Sequence, residues 1–255
     1  MAARLAGIAQ ARLELMALAG AELTAAERAF ARQQTSVVAR LLRDEGTFYE
    51  WDHFPAGDIY DPVSGAQYFY HSHGTTARRV GTEGKFHNLM PPAHGGAQRP
   101  AQEHGHFHTF LRHPARQPGL RQPETEAPPS HIIAVAMDFH GRPNRLFTVN
   151  RWVTEETWTE APRLIAMLDR FTIDLPRPSR WVNRWLGALL RLFRPQIEDL
   201  LRQRDAALAE WGRRHPGEDP RNSRELEIPS QLEISLAGQI DQVARALAQP
   251  RRKAR

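Results

Sequence analysis

The sequence contains no cysteine among its 255 residues. This absence excludes disulfide bonds, thiolate-ligated zinc, iron–sulfur clusters and cysteine nucleophiles. No stretch approaches 18 uninterrupted apolar residues, so we expect no transmembrane helix. The motifs GxGxxG, GxxxxGK[ST], HExxH and GxSxG are also missing, which argues against dinucleotide-binding proteins, P-loop nucleotidases, zincins and serine hydrolases.

Lysine is scarce, since Lys85 and Lys253 are the only lysines among the 34 basic residues and the rest are arginine. The tail Arg251–Arg255 holds four basic residues and no acid, which leaves 30 basic and 29 acidic residues in the rest of the chain. A nearly neutral body argues against binding to nucleic-acid phosphates, so we expect no nucleic-acid partner. Arg12 and Glu14 interrupt the first apolar segment, and we therefore expect no signal peptide and a cytoplasmic protein.

The hydrophobic pattern predicts an α+β protein with N-terminal helices, a central antiparallel β-sheet and C-terminal helices. We expect these parts to form one domain. The predicted divisions are an N-terminal helical segment at 1–46, a histidine-rich β region at 47–154, a helical region packed on the sheet at 155–250, and a basic tail at 251–255.

The N-terminal pattern predicts a helix over 3–19 that ends at Gly20. A second helix is expected to begin at Thr24, with Glu27 completing a capping box, and to end near Gly46.

Short aromatic and β-branched runs predict the strands that follow. They are expected at 67–73 and 104–112, and as a hairpin of 131–139 and 145–153 around the turn sequence HGRPN. Between them, 74–102 and 113–130 have the composition of loops. Helices are predicted at 155–170, 180–193, 195–213 and 236–248, with short strands at 226–228 and 232–234.

Histidine is concentrated in the β region, where 11 of the 12 residues lie between His53 and His140. An even distribution would place about four there. His104, His106 and His108 alternate in EHGHFHTF, so an ideal strand would place all three imidazoles on one face.

His71 and His73 alternate in the same way on the preceding strand, so neighbouring strands would bring five imidazoles together. Imidazole favours zinc, iron, nickel or copper, and the sequence therefore predicts a site for one of these divalent ions. Glu103 would point to the opposite face of an ideal strand and ranks as a weaker ligand. Further ligands are expected from the preceding loop, at Asp52, His53 and Asp58.

The functional expectation is a metal-dependent hydrolase or oxygenase that acts on a small molecule, with an open coordination position for water or dioxygen. Catalysis by His106 without metal, and metal or ligand binding without catalysis, remain alternatives. Arg151 is a candidate substrate residue because a guanidinium on an apolar strand face could hold an anion. The competing interpretation of Arg151 is an arginine stacked on tryptophan and paired with a carboxylate. His87, His94, His113 and His215 lie in predicted loops and are assigned no role.

The segment HGHFHTF resembles the His-x-His-x-His-x-x motif of the histidine triad nucleotide hydrolases and transferases. That resemblance implies that His106, the middle histidine, attacks an α-phosphate. Gly105 and Thr109 stand where that family has bulky apolar residues, and the motif lies in the middle of this chain.

Over most of 48–248 the chain also resembles an uncharacterised family of bacterial proteins. The shared stretches are EHGHFHTF, LFTVNRWVT and VNRWL. This resemblance implies no particular activity.

Overall fold

The computed structural model describes residues 5, 7–43, 53–73, 103–112 and 129–249. The helices are α1 (Gln10–Arg32), α2 (Val37–Leu42), α3 (Arg151–Thr154), α4 (Ala161–Met167), α5 (Arg180–Leu192), α6 (Arg194–Arg214) and α7 (Leu236–Ala248). The strands are β1 (His53–Tyr60), β2 (Ala66–Ser72), β3 (Glu103–Leu111), β4 (Ser130–Asp138), β5 (Pro143–Thr148) and β6 (Ser230–Glu233). Helices at both ends and a central sheet confirm the predicted α+β class.

The six strands form one antiparallel sheet in the order β1-β2-β3-β4-β5-β6. One face of this sheet carries the main hydrophobic core, in which Tyr68, Phe107 and Val135 pack with residues of α1 and α5. The other face has a smaller apolar cluster of Ala134, Ala136, Phe147 and Val149. Among the described residues, no helix is both long and apolar enough to cross a membrane.

The N-terminal helices differ from the prediction, because α1 continues through Gly20 to Arg32. A Cβ atom at Gly20 would lie 3.2 Å from Ile240 Cγ1 of α7, so glycine permits close packing of the two helices. The Thr24 hydroxyl donates to the Gly20 carbonyl oxygen within α1 and caps no helix. The next helix, α2, begins after Ser36, whose side chain accepts from the Ala39 amide.

The predicted hairpin is confirmed by the pairing of β4 with β5. Its second strand ends at Thr148, because the Asn150 side chain caps α3 and turns the chain into a helix. The predicted helix at 155–170 begins only at Ala161. Helices α5, α6 and α7 lie close to their predicted positions, whereas of the two predicted short strands only the second corresponds to a strand, β6. Residues 74–102, 113–128 and the basic tail lie outside the described residues.

Candidate metal centre

The pairing of β2 with β3 brings histidines of both strands to the face of the sheet that carries the smaller apolar cluster. His71 lies opposite His106 in the register, and Phe69 lies opposite His108. Just beyond β2, the His73 amide donates to the His104 carbonyl oxygen at 2.8 Å and extends the ladder. Directly paired side chains lie on the same face of a sheet, so these imidazoles meet at one end of the two strands.

Three of the predicted ligands form a compact group. His71, His73 and His106 each offer one ligand atom, and these atoms all lie within 4.8 Å of one another. The ring centroids of His73 and His106 are 4.7 Å apart, and each is less than 6 Å from that of His71. His106 is buried, whereas His71 and His73 are partly buried. This cluster could hold a metal ion.

The expectation that His104, His106 and His108 share one face is wrong. The register between β3 and β4 shifts between Glu103 and Gly105, and such a bulge reverses the alternation of side chains. The His104 Nδ1 atom lies 2.8 Å from the Tyr70 hydroxyl, on the face of the main core. His104 therefore lies apart from the cluster, although Glu103, the residue before it in the sequence, contacts His106 of the cluster.

The same bulge turns Glu103 toward the cluster, against the expectation for an ideal strand. Glu103 Oε1 lies 2.8 Å from His106 Nδ1 and 3.7 Å from His73 Nδ1. Glu103 Oε2 accepts from the Arg145 guanidinium at 2.5 Å. Arg145 also donates to Gln231 at 2.6 Å and lies over the Phe147 ring. The buried carboxylate is thus compensated by one cation, as a buried charge requires.

A chain of imidazoles continues from His106 into the protein. His106 Nε2 lies 2.9 Å from His108 Nε2, and His108 Nδ1 lies 3.1 Å from His131 Nε2. Burial lowers the pKa of His108 well below its usual value, with further contributions from neighbouring histidines. Burial also lowers the pKa of His131 to about 3, with Arg204 acting in the same direction. Both rings are therefore neutral near pH 7, and a neutral imidazole has one ring nitrogen whose lone pair can bind a metal ion.

His131 and Arg145 were not predicted as parts of this centre. A second register shift, between Thr109 and Phe110, accompanies the turn of His131 toward His108. Alternation along β4 gives no sign of this position. Arg145 reaches the centre from β5, which is separated from β3 by β4, and only the pairing of the strands reveals it.

The remaining predicted residues lie around the centre or apart from it. His53 of β1 lies opposite His71 of β2 and stacks on Phe69 with ring centroids 3.5 Å apart. Its Nδ1 atom lies 3.2 Å from Asp58 Oδ1.

Arg151 lies apart from the centre, at the start of α3, where it donates to Asp219 at 3.2 Å and to Asn222 at 2.6 Å. Its guanidinium therefore joins two parts of the C-terminal region. Asp52, His87, His94 and His113 lie outside the described residues, and His215 stacks on Trp211.

A family profile for a domain of unknown function, DUF6969, matches residues 17–98 and 92–234. The chain belongs to the DUF6969 family. The DUF6969 match includes every residue of the histidine cluster together with Glu103 and Arg145. It agrees with the predicted membership of an uncharacterised family. No curated protein and no solved structure gives a significant match to this chain.

Proposed function

We propose that the protein binds one divalent transition-metal ion through His71, His73 and His106 and uses it to act on a small-molecule substrate. The observation that carries this proposal is the convergence of three imidazole ligand atoms within 4.8 Å of one another. They come from two hydrogen-bonded strands, so the sheet holds them in place without a ligand. A preorganised set of donors avoids the entropy loss of gathering flexible side chains.

The chemistry of the donor set narrows the choice of ion. Imidazole nitrogen suits zinc, iron, nickel and copper, whereas magnesium and calcium prefer oxygen ligands. The Glu103 carboxylate contacts the Nδ1 atoms of two of the imidazoles, which is the usual place of an outer carboxylate in a zinc site. These features favour zinc or another transition metal over the hard cations.

Three protein ligands are typical of catalytic rather than structural zinc sites. An ion in such a site leaves one position for water or substrate and supplies Lewis acidity for hydrolysis, or dioxygen chemistry when the ion is iron.

His108 is not a member of this group of three. Its Nε2 atom lies 2.9 Å from that of His106, and its Nδ1 atom lies 3.1 Å from His131 Nε2. The proposed site therefore has three protein ligands, which keeps the fourth coordination position open.

Zinc binding by single alanine variants tests the metal site. We expect the wild-type protein to bind one equivalent of zinc, and His71→Ala, His73→Ala and His106→Ala each to weaken binding by more than about 100-fold. Dissociation constants from competition with a chromophoric chelator, and zinc content by mass spectrometry, provide the measurement.

Two histidines serve as controls for this experiment. His140→Ala changes an exposed residue in the β4–β5 turn, and His104→Ala changes the histidine on the opposite face of the sheet. Both variants should bind zinc within about twofold of the wild type. A wild-type protein that takes up no zinc, nickel, copper or iron would overturn the proposal.

The reaction requires separate assays. Hydrolysis of nitrophenyl esters or phosphate esters by the zinc-loaded protein would support a hydrolase, and oxygen uptake by the iron-loaded protein would support an oxygenase. Stoichiometric metal without turnover in either assay would favour a non-catalytic binding protein.

The structure gives less support to a triad-like reaction. His106 Nδ1 contacts Glu103 and its Nε2 contacts His108, while His104 lies on the other face. A covalent phosphohistidine trapped at His106 in metal-free protein would nevertheless favour that reaction over the metal site.

A further inference from the structure

We infer that Glu103, held by Arg145, is the positioning residue that makes His106 bind the ion through Nε2. The inference rests on the proposed metal site and concerns which ring nitrogen of His106 faces the ion. Its basis is the hydrogen-bond contact between the buried carboxylate and His106 Nδ1.

The two oxygen atoms of Glu103 have different partners. Oε2 accepts from Arg145 at 2.5 Å, while Oε1 lies 2.8 Å from His106 Nδ1 and 3.7 Å from His73 Nδ1. Oε2 is already an acceptor for the Arg145 guanidinium, and Oε1 is placed to accept from the ring facing it. The facing Nδ1 atom of a neutral imidazole must then carry the hydrogen, and its lone pair is left on Nε2.

The hydrogen bond to Glu103 therefore specifies the tautomer of His106. An accepted hydrogen bond at Nδ1 also raises the electron density on Nε2 and strengthens it as a ligand. The same contact fixes the orientation of the His106 ring, whose plane is nearly perpendicular to that of His73, at 83°.

Arg145 in turn fixes Glu103. Its guanidinium donates to Gln231 of β6 and packs on Phe147 of β5. The cation is therefore held by the two strands at the β6 edge of the sheet. Glu103 and Arg145 are both buried, and loss of either one alone would leave an uncompensated charge. A test must therefore remove both charges together.

Ring tautomers in the zinc-loaded wild-type protein give the direct test. Two-bond proton–nitrogen correlation spectra of protein labelled with nitrogen-15 in histidine report which ring nitrogen binds zinc. We expect zinc on Nε2 and hydrogen on Nδ1 in His106. Zinc on Nδ1 of His106 would overturn the inference without depending on any variant.

The double variant Glu103→Gln/Arg145→Met tests the energetic side. We expect zinc binding to weaken 10- to 100-fold, the usual effect of losing an outer-shell partner. We also expect His106 no longer to show a single tautomer in the metal-free protein. Glu218→Gln, which changes an exposed carboxylate in the loop after α6, is the matched control and should bind zinc like the wild type.

The possible failures are distinguishable. Wild-type zinc affinity and tautomers in the folded double variant would overturn the positioning role and leave the metal site standing. A wild-type protein that binds no metal would overturn the proposed function, and this inference with it.

Discussion

Gly105 is the residue on which the geometry of the centre depends most directly. It lies at the bulge between Glu103 and His106 and pairs with Ser72 of β2. A Cβ atom at this position would lie 2.3 Å from the His71 carbonyl oxygen and 2.6 Å from the Tyr70 hydroxyl oxygen. Since the nearest atom belongs to the backbone, a larger residue would have to separate the two strands that carry the ligands.

Gly105→Ala should therefore disturb both stability and metal binding. We expect the free energy of unfolding to fall by about 3 kcal/mol, the upper part of the usual cost of overpacking. Zinc affinity should fall at least tenfold, because His71 and His106 are directly paired beside this glycine. Chemical denaturation of metal-free protein and zinc titration of the folded variant measure the two effects.

Gly212→Ala is the control for this change. Gly212 lies in α6, where a Cβ atom would be 3.6 Å from the nearest Pro220 atom, an ordinary contact. Alanine should leave zinc affinity unchanged and stability equal or higher, because it favours helix more than glycine does. If Gly105→Ala behaved like this control, the close approach would not matter to the centre.

Period-two alternation accounts for part of the site and fails at one position. It correctly predicts that His106 and His108 share a face, because β3 is regular from Gly105 to Thr109. It places His104 and Glu103 on the wrong faces, because one extra residue at the bulge reverses the alternation there. A bulge depends on contacts with β4, so the local pattern in β3 contains no sign of it.

At the level of elements, the two faces of the sheet have separate roles. The face with the main core is joined to the helices, and the opposite face carries the imidazoles. Asn183 of α5 is the polar link on the helical side. Its Oδ1 accepts from the Tyr68 hydroxyl at 2.6 Å, and its Nδ2 donates to the carbonyl oxygens of Leu175 and Arg177.

Asn183→Ala should reduce stability but leave metal binding intact. The change leaves a buried hydroxyl and two carbonyl groups without their partner, so we expect a loss of roughly 2–4 kcal/mol. Zinc affinity should stay within about twofold of the wild type, because the ligands lie on the other face. Urea denaturation and zinc titration provide the measurements.

Tyr68→Phe is the comparison for this prediction. It removes a single hydrogen bond and leaves one amide oxygen unpartnered, so the loss should be about 1–2 kcal/mol. A tenfold or larger loss of zinc affinity in Asn183→Ala would show that the two faces are coupled through the sheet.

At the scale of the whole molecule, buried ionisable groups give stability a dependence on pH. Burial raises the pKa of Glu156 to about 8, against weaker opposing effects of its bond to the His131 amide and of Arg204 and Arg151. The folded state therefore keeps a proton on Glu156 that the unfolded chain releases above about pH 4.5. Its contribution to stability falls as pH rises between these two values. His131, whose pKa is about 3, has the opposite effect below its unfolded value near 6.5.

The two effects separate above pH 6.5, where the effect of His131 fades as the unfolded histidine loses its proton, while that of Glu156 continues to about pH 8. Between pH 6.5 and 8, Glu156 should reduce the stability of metal-free wild-type protein by about 2 kcal/mol. The glutamine side chain in Glu156→Gln does not ionise, so the free energy of unfolding of this variant should not show the decrease of about 2 kcal/mol that Glu156 causes. Urea denaturation of both proteins at several pH values, with a chelator present, measures the difference. Parallel curves for the two proteins would show that Glu156 has an ordinary pKa in the folded state.

Composition and hydrophobic periodicity by themselves determined the α+β class, the hairpin of β4 and β5, and three of the C-terminal helices. They also predicted that histidines of two neighbouring strands would come together, as His71, His73 and His106 do. These properties follow from local spacing and from the kinds of side chain present. Local periodicity did not reveal that α1 continues past Gly20, because packing against Ile240 of α7 makes that glycine favourable.

Only the tertiary structure decided which residues meet. Strand register paired His71 with His106, and two bulges turned Glu103 and His131 toward the cluster while His104 turned away. Arg145 joined the centre from another strand. The physical reason is that register and bulges are set by contacts between strands far apart in the sequence, whereas alternation within a strand is a property of its own backbone.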